Sequence, residues 1–341
     1  MKARYLISII LIILLFGCSR TGNDPISTNT ASTNMIVVGF SQLGAESDWR
    51  SANTQSMTET FTQANGYTML FDDGQQKQTN QIMAIRRFIQ QDVDYIVLAP
   101  VTETGWDTVL AEAKDAGIPV VIVDRMVDVE DESLFSCWVG SDFELEGKKA
   151  AEWLHQYAIA QNIAAEDLHI VNIQGTIGAT AQIGRTRGLE NAAATYGWDL
   201  LEEASGDFTQ AKGREVMEYF LQTYDNINVV YCENDNEALG AIEAIEAAGK
   251  HVGSDIQAGD IMVISFDGVN EQALSYVAEG KITCIIECNP LHGPRVETII
   301  ENLEAGVEMA KHQYVDEGIY SANTTVQQIT VDGVTYNVNH K

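Results

Sequence analysis

The feature that most constrains the fold is a regular alternation between short, continuously apolar runs and longer segments with helical periodicity. In the first half of the globular part, the apolar runs are residues 36–40, 68–71, 95–99 and 118–123, and the helical segments are residues 49–65, 75–90 and 106–116. Strands that are apolar at every position are buried on both faces, which is typical of parallel sheets covered by helices. The pattern therefore predicts an α/β fold with a doubly wound parallel sheet.

The same alternation starts again after residue 144. The predicted strands are residues 169–173, 199–204, 228–232, 261–266 and 282–287, and the predicted helices are residues 145–161, 180–196, 209–223, 237–248, 271–279 and 295–305. We therefore predict two doubly wound halves of similar size, which bind ligands at the carboxyl ends of their strands. The tail after Ala305 ends in a hairpin-like stretch, residues 326–338, around Asp332-Gly333.

The first residues of the chain predict where the protein works. Lys2 and Arg4 precede an apolar run over residues 5–16, which is too short to span a bilayer and is typical of a signal peptide. Gly17 and Cys18 then complete a segment that resembles the lipobox of lipoproteins, so we expect residues 1–18 to be a signal peptide and Cys18 to be lipidated. The alternative is an ordinary secretory signal with an incidental cysteine. Residues 19–34 are rich in Ser, Thr and Asn and are predicted to be a flexible tether.

The charge and the cysteines exclude several classes of protein. A net charge of −29 argues against nucleic acid as a partner and against electrostatic adhesion to anionic lipid. Four cysteines follow Cys18, and we expect buried free thiols. The alternative is a disulfide that joins Cys137 to Cys284 or Cys288 near the junction of the halves. The spacing of the cysteines and histidines does not indicate a metal site, and we expect no cofactor.

Polar and aromatic side chains follow the predicted strands and suit a carbohydrate. Asp, Asn and Arg can bond vicinal hydroxyl groups in pairs, and an aromatic ring can cover the apolar face of a sugar. Each residue also has a structural explanation, because an Asp after a strand can cap a helix and a Trp or Phe can belong to the core. Their joint placement at the strand ends favours a binding site. The candidate residues are Glu46, Trp49, Arg50, Asp124, Arg125, Arg185, Phe208, Asn234 and Asp267.

Several long segments carry a resemblance to a known family. They are VGFSQLGAESDWR, DDGQQKQTNQIMAIRRFI, VDYIVLAPVTETGW, AGIPVVIVDR, GDFTQAKGREVME, YCENDNEALGAIEAIEAAG and ISFDGVNEQAL. They resemble the periplasmic sugar-binding proteins of ribose type, the substrate-capturing subunits of ABC importers, and are most similar to members that bind galactofuranose. The resemblance covers residues 37–294. It implies a type I periplasmic binding protein with a three-crossing hinge, whose N-terminal lobe is residues 35–139 and 289–312 and whose C-terminal lobe is residues 140–288 and 313–341.

The resemblance also implies roles for particular residues. Asp124 matches a neighbouring aspartate of the family, and Phe208 matches a stacking aromatic of the ribose binders. Residues 288–294 (CNPLHGP) depart from the family, because the order of Asn and Pro is swapped relative to the galactofuranose binders. This difference leaves the anomeric form or substituent of the ligand open. The implied furanose contacts are Glu46, Arg50, Arg125, Arg185, Asn234 and Asp267.

The function expected from these observations is that of a monomeric, extracytoplasmic, lipid-anchored protein. It would capture a monosaccharide, galactofuranose or a related furanose, and deliver it to the permease and ATPase of an ABC importer. The alternative is a sugar-sensing lipoprotein that presents its ligand to a sensor kinase or chemoreceptor. We do not expect an enzyme, because arginines would hold the candidate acids Glu46 and Asp267 ionised. Gly175–Gly178 lacks the spacing of a dinucleotide-binding loop, and a repressor of this fold would begin with a helix-turn-helix.

Overall fold

The structure, a computed structural model, describes residues 35–340 and consists of two α/β lobes. The predicted signal peptide, the lipidation of Cys18 and the tether lie outside the described residues. Within residues 35–340, helices long and apolar enough to cross a membrane do not occur.

The first lobe is built on a six-stranded sheet in which all neighbouring strands are parallel. The strand order is β2-β1-β3-β4-β5-β11, so the order reverses between β1 and β3. The carboxyl ends of strands on either side of such a switch point frame a crevice for a ligand. The strands are β1 (Ile36–Gln42), β2 (Tyr67–Asp73), β3 (Tyr95–Leu98), β4 (Val120–Val123), β5 (Cys137–Gly140) and β11 (His312–Tyr314).

The second lobe is built on an eight-stranded sheet with the order β13-β14-β12-β10-β9-β8-β6-β7. Strands β6 to β10 are parallel, whereas β12 and β13 each add an antiparallel pairing at one end of the sheet. The switch point lies between β6 and β8. The strands are β6 (His169–Gln174), β7 (Asp199–Ser205), β8 (Val229–Cys232), β9 (Met262–Asp267), β10 (Cys284–Glu287), β12 (Ile319–Ser321), β13 (Gln328–Val331) and β14 (Val334–His340).

Helices cover both faces of each sheet. In the first lobe, Ile96 and Leu98 pack on one face with α2 and α3, and Val97 packs on the other face with α1 and α9, as the two-residue period of a strand requires. In the second lobe, α4 and α5 cover one face, and α6, α7 and α8 cover the other. The helices are α1 (Asp48–Thr60), α2 (Gln78–Gln90), α3 (Asp107–Asp115), α4 (Phe143–Gln161), α5 (Thr180–Tyr196), α6 (Gln210–Thr223), α7 (Asp235–Ala247), α8 (Glu271–Ala278) and α9 (Gly293–Glu304).

The chain passes between the lobes three times. We call residues 141–142 the first crossing, residues 288–292 the second crossing and residues 315–318 the third crossing. The predicted boundary after residue 312 falls inside β11, which pairs in parallel with β5 of the first sheet. We therefore propose that the N-terminal lobe extends through β11.

The predicted strands and helices are confirmed with shifts of a few residues at their ends. The predicted hairpin is also confirmed, since β13 and β14 pair antiparallel around Asp332 and Gly333. The sequence analysis does not predict strands β5, β11 and β12, which have four, three and three residues. The disulfide alternative is wrong in this structure, where the cysteines of residues 35–340 are free and buried: Cys137, Cys232, Cys284 and Cys288.

Candidate functional site

A cavity between the two lobes collects the candidate residues of both halves. The empty space among its lining residues amounts to about 280 Å³, of which a part is open solvent. The parallel strands of each lobe point their carboxyl ends at it, so residues far apart in the sequence meet there. The lining residues are Glu46, Ser47, Trp49, Arg50, Asp124, Arg125, Phe143, Ala181, Arg185, Phe208, Asn234, Asp267 and Cys288, which include all nine candidates.

The first lobe contributes a buried network of two arginines and two carboxylates. Arg50 Nη2 donates to Asp124 Oδ2 at 2.5 Å and lies 3.7 Å from Glu46 Oε1. Arg125 Nη2 donates to the same Glu46 oxygen, and its Nη1 donates to the Val101 carbonyl at 2.8 Å. Charge-assisted bonds of this kind hold planar groups in fixed orientations. The network therefore presents a rigid polar wall to the cavity.

Burial and charge pairing have opposite effects on the pKa values of the charged side chains in this wall. Burial acts to raise the pKa of Asp124, but Arg50 and Arg125 outweigh it, so the pKa lies below its ordinary value. Burial lowers the pKa of Arg125, and Glu46 opposes that shift. Asp124 is therefore an ionised hydrogen-bond acceptor at neutral pH.

Arg50 has bonding capacity that the described protein atoms do not use. Its Nε and Nη1 atoms are buried, and within residues 35–340 neither has a hydrogen-bond partner. Buried donors in folded proteins are nearly always satisfied, so an unpaired pair at a cavity wall calls for an acceptor from elsewhere. A hydroxyl or ring oxygen of a ligand in the cavity would supply it.

The second lobe contributes a similar network around Arg185. Arg185 Nη2 donates to Asp267 Oδ1 at 3.2 Å, and Nε donates to Glu146 Oε2 at 2.7 Å. Its Nη1 donates to the Glu233 carbonyl. All three donor groups of this guanidinium are thus engaged, and its orientation is fixed from three directions.

Asp267 differs from the expectation that arginines keep it ionised. Burial raises its pKa well above the ordinary value, Arg185 opposes the shift, and the nearby Asp235 and Glu146 add to it. The expectation is wrong for Asp267, because burial outweighs the one arginine that reaches it.

The two candidate aromatic residues are both buried and line the cavity. Trp49 Nε1 donates to the Cys288 carbonyl at 2.7 Å, and Arg50 lies 4.6 Å above the Trp49 ring. Phe208 lies under Arg125, 5.3 Å from the guanidinium. Each ring is therefore packed by an arginine and also borders the cavity, so a contact of either ring with a ligand stays a prediction.

Three candidates adopt left-handed backbone conformations. The φ angles are 62° at Asp124, 59° at Phe208 and 87° at Asp267. Such conformations are uncommon outside glycine, most of all for a bulky side chain such as Phe208, and they cluster at functional sites. Gly175 makes room for the Phe208 ring, because a Cβ at residue 175 would lie only 1.9 Å from Phe208 Cζ.

Asn234 caps a helix, which is the structural explanation for a polar residue after a strand, and it also borders the cavity. It is the N-cap of α7, where its Oδ1 accepts from the Glu237 N–H at 2.8 Å. Its Nδ2 donates to the Phe208 carbonyl at 3.0 Å. The second N–H of the amide group remains available for another acceptor.

Four lining residues were missed in the sequence. Ser47 is the N-cap of α1, and Cys288 directly follows β10, so the same strand-end reasoning would have found Cys288. Phe143 and Ala181 lie in the first turns of α4 and α5 and give no polar signal.

Polar contacts also join the lobes beside the cavity. The Asp48 N–H donates to Asn236 Oδ1 at 3.1 Å, and Asn236 Nδ2 donates to Asp48 Oδ2 at 3.1 Å. Asn270 Nδ2 donates to the same Asp48 oxygen. On the other side, Thr180 Oγ1 accepts from the Met126 N–H at 2.8 Å. We call Asp48, Asn236 and Asn270 the latch.

Two α/β lobes joined by three crossings, with a polar cavity between their strand ends, define a type I periplasmic binding protein. A family model described as a periplasmic binding protein domain matches residues 38–292. The chain therefore belongs to the periplasmic binding protein family.

Among curated proteins, the chain is similar to the galactofuranose-binding protein of Escherichia coli (strain K12), with 38% identity over 86% of this chain and 90% of the relative. Among solved structures, it is similar to a Mycobacterium smegmatis protein in complex with β-D-fucofuranose. That chain has 39% identity and a TM-score of 0.78, with 84% of this chain and 91% of the other covered. It is also similar to the binding component of the arabinose ABC transporter from Shewanella sp. ANA-3, bound to α- and β-L-arabinofuranose. The identity is 40% and the TM-score is 0.76, and the alignment covers 83% of this chain and 91% of the other.

Proposed function

We propose that this protein captures one uncharged monosaccharide in its furanose form and delivers it to an ABC importer. The observation that carries the proposal is the pairing of charges in the cavity. Arg50 is paired with Asp124, Arg125 with Glu46, and Arg185 with Asp267 and Glu146. Because each arginine that lines the cavity already has a carboxylate, the described residues offer an anionic ligand no unpaired positive charge. The groups of the cavity instead bond hydroxyls.

The size of the cavity and the similar proteins support the class of sugar. The space between the lobes is small, which favours a small ligand over an oligosaccharide. The similar proteins bind galactofuranose, fucofuranose and arabinofuranose, which share a five-membered ring. We propose ligand contacts by Glu46, Trp49, Arg50, Asp124, Arg125, Arg185, Phe208, Asn234 and Asp267.

The proposal includes binding without chemical conversion. A glycosidase needs one carboxyl group that gives a proton and a second one across the scissile bond. Glu46 Oε1 accepts a hydrogen bond from Arg125 and lies 3.7 Å from Arg50. Asp124, the second carboxylate of the first lobe's wall, is likewise bound by an arginine, Arg50, and the similar curated protein is named as a binding protein.

The importer as partner is supported by the arabinose transporter component among the similar structures. A sensor kinase or chemoreceptor stays the alternative. We also propose that Cys18 anchors the protein outside the cytoplasmic membrane. Labelled fatty acid should enter the wild-type protein and not the Cys18→Ser variant, and labelling of that variant would contradict the anchor.

A thermal-shift screen of simple sugars tests the proposed ligand class. D-Galactose, D-fucose and L-arabinose, whose solutions contain furanose forms, should raise the melting temperature, whereas D-galacturonate and D-galactosamine should not. A ligand at a thousandfold excess over its Kd stabilises the fold by about 4 kcal/mol. Stabilisation by the charged sugars alone would overturn the proposal.

A further inference from the structure

Glu317 connects the three crossings through one side chain. It lies in the third crossing and is buried. Its Oε1 accepts from Ser141 Oγ of the first crossing at 2.6 Å and from the Asn289 N–H of the second crossing at 2.6 Å. Lys149 of α4 donates to the Glu317 carbonyl at 2.9 Å. A single carboxyl group is therefore the meeting point of all three connections between the lobes.

Beside it lies Glu146, a carboxylate that orients the cavity residue Arg185. Glu146 Oε2 accepts from Arg185 Nε at 2.7 Å. Its Oε1 is buried and has no hydrogen-bond partner within residues 35–340. One carboxyl oxygen of Glu146, one carboxyl oxygen of Glu317 and the Cys288 Sγ lie within 4.8 Å of one another. The two carboxyl groups therefore lie close together, and one oxygen of Glu146 is left without a partner among the described residues.

A shared proton explains this arrangement. Two buried carboxylates in contact repel each other, so one of them stays protonated. Oε1 of Glu317 already accepts two bonds, which leaves Oε2 to carry the proton. We propose that Glu317 is a carboxylic acid that donates a hydrogen bond to Glu146 and thereby positions Arg185 for ligand binding. As far as it concerns ligand binding, the inference rests on the proposed function.

The surroundings of Glu146 and Glu317 favour a proton between the two carboxyl groups and disfavour a further cation. Arg185 and Lys149 already bring two positive charges to this pair. Burial raises the pKa of Glu317 to about 9, and Glu146 adds to the shift while Ser141 and Asn289 oppose it. The titratable and charged groups that face the pair are Lys149 of α4, Arg185 of α5, Asp267 of β9, Glu287 of β10 and Cys288 of the second crossing.

The sign of the pH effect follows from the raised pKa. The folded protein holds the Glu317 proton up to about pH 9, whereas an unfolded chain loses it near the ordinary value for Glu. The contribution of this bond to folding is therefore fully present at acidic pH and declines as the pH rises to about 9. Above that pH, repulsion between Glu146 and Glu317 would disturb Arg185 and open the junction of the crossings.

Ligand titration at two pH values tests the inference, with D-galactose as the probe. The wild-type affinity should fall by about tenfold between about pH 7 and about pH 10. Glu317→Gln keeps a donor toward Glu146 and cannot ionise, so this fall should disappear. Asp316→Asn removes an exposed charge from the adjacent position and should keep the fall.

The Cys288→Ser variant tells whether the pH effect comes from the Cys288 thiol, which also lies near Glu146, or from the Glu317 carboxyl group. The fall should persist in this variant, because serine does not ionise in the range and Glu317 is intact. A fall that disappears in Cys288→Ser and persists in Glu317→Gln would overturn the inference.

Infrared spectroscopy tests the proton without a ligand. The difference between wild type and Glu317→Gln at neutral pH should contain the carbonyl band of a protonated carboxyl group, and the band should vanish near pH 9. Absence of this band at neutral pH would overturn the inference even if sugar binds. Presence of the band without any sugar binding would contradict the proposed function alone.

Discussion

Arg50 shows how a single side chain can serve both the fold and the ligand. Its Nη2 holds Asp124, and its ring contact packs Trp49. Its two remaining buried donors have no partner in the described part of the chain. This combination suits a planar guanidinium, because one of its nitrogens can bond a carboxylate while the other two keep N–H groups available.

We predict that Arg50→Lys weakens binding of D-galactose by about tenfold or more, because two hydrogen bonds of about 1 kcal/mol each are lost while the charge is kept. Titration calorimetry measures the change. Arg86→Lys is the matched control, because Arg86 lies at the surface in an exposed ion pair with Glu112. This variant should bind D-galactose with wild-type affinity. Equal affinities of the Arg50 variant and wild type would show that these donors do not contact the sugar.

We predict that His292 makes the stability of the fold depend on pH in the acidic range. Burial lowers the pKa of His292 to about 4, although Asp124 opposes the shift. Because the folded pKa lies below the unfolded value of about 6.5, the contribution of the neutral ring is present above pH 6.5 and is lost as the pH falls to about 4.

Thermal unfolding between about pH 7 and about pH 4 should therefore show a smaller loss of stability in His292→Asn than in wild type. His251→Asn changes an exposed histidine and should follow wild type. Parallel curves for all three proteins would contradict the assignment of the acid sensitivity to His292.

At the scale of elements, the sequence predicts the residues at the strand ends well, but it does not predict the buried carboxyl groups that support them. Asp124, Arg125 and Asp267 were found because each follows a continuously apolar strand, and parallel strands gather their ends at one edge. Glu146 and Glu317 carry no such signal. Glu146 meets Arg185 because α4 and α5 cross closely, with Gly147 and Gly188 in contact. Glu317 reaches Glu146 through the third crossing, which follows the unpredicted strand β11.

The turn after β6 gives a prediction at the same scale. Gly175→Ala would place a methyl group 1.9 Å from Phe208 Cζ, so the ring must leave its position under Arg125. We expect a loss of stability of about 1–3 kcal/mol in urea unfolding and affinity for D-galactose that is about tenfold weaker or worse.

Gly66→Ala controls for the general effect of losing a glycine. A Cβ there meets no atom within 4 Å, and φ is 89°, so only backbone strain is added, remote from the cavity. This variant should lose stability and keep its affinity. Unchanged affinity in Gly175→Ala would mean that Phe208 does not shape the site.

At the scale of the molecule, the latch predicts how long the lobes stay closed. Asp48 bonds Asn236 and Asn270 across the mouth of the cavity, so Asp48→Ala should speed ligand release several-fold with little effect on association. Stopped-flow measurements give both rates.

Glu271→Ala is the control, because Glu271 is likewise an acidic residue in the first turn of a helix and is exposed. It should release ligand at the wild-type rate. Equal release rates for Asp48→Ala and Glu271→Ala would show that the latch does not hold the closed state.

The central claim is that a neutral sugar is held between the lobes by residues of both. Calorimetric titration of the wild type, Arg125→Ala and Asp267→Ala with D-galactose and L-arabinose tests it most directly. We predict that the wild type binds at least one of the sugars and that each variant binds it at least tenfold more weakly, because a buried partner is lost from one wall or the other. Wild-type affinity in both variants would contradict the claim.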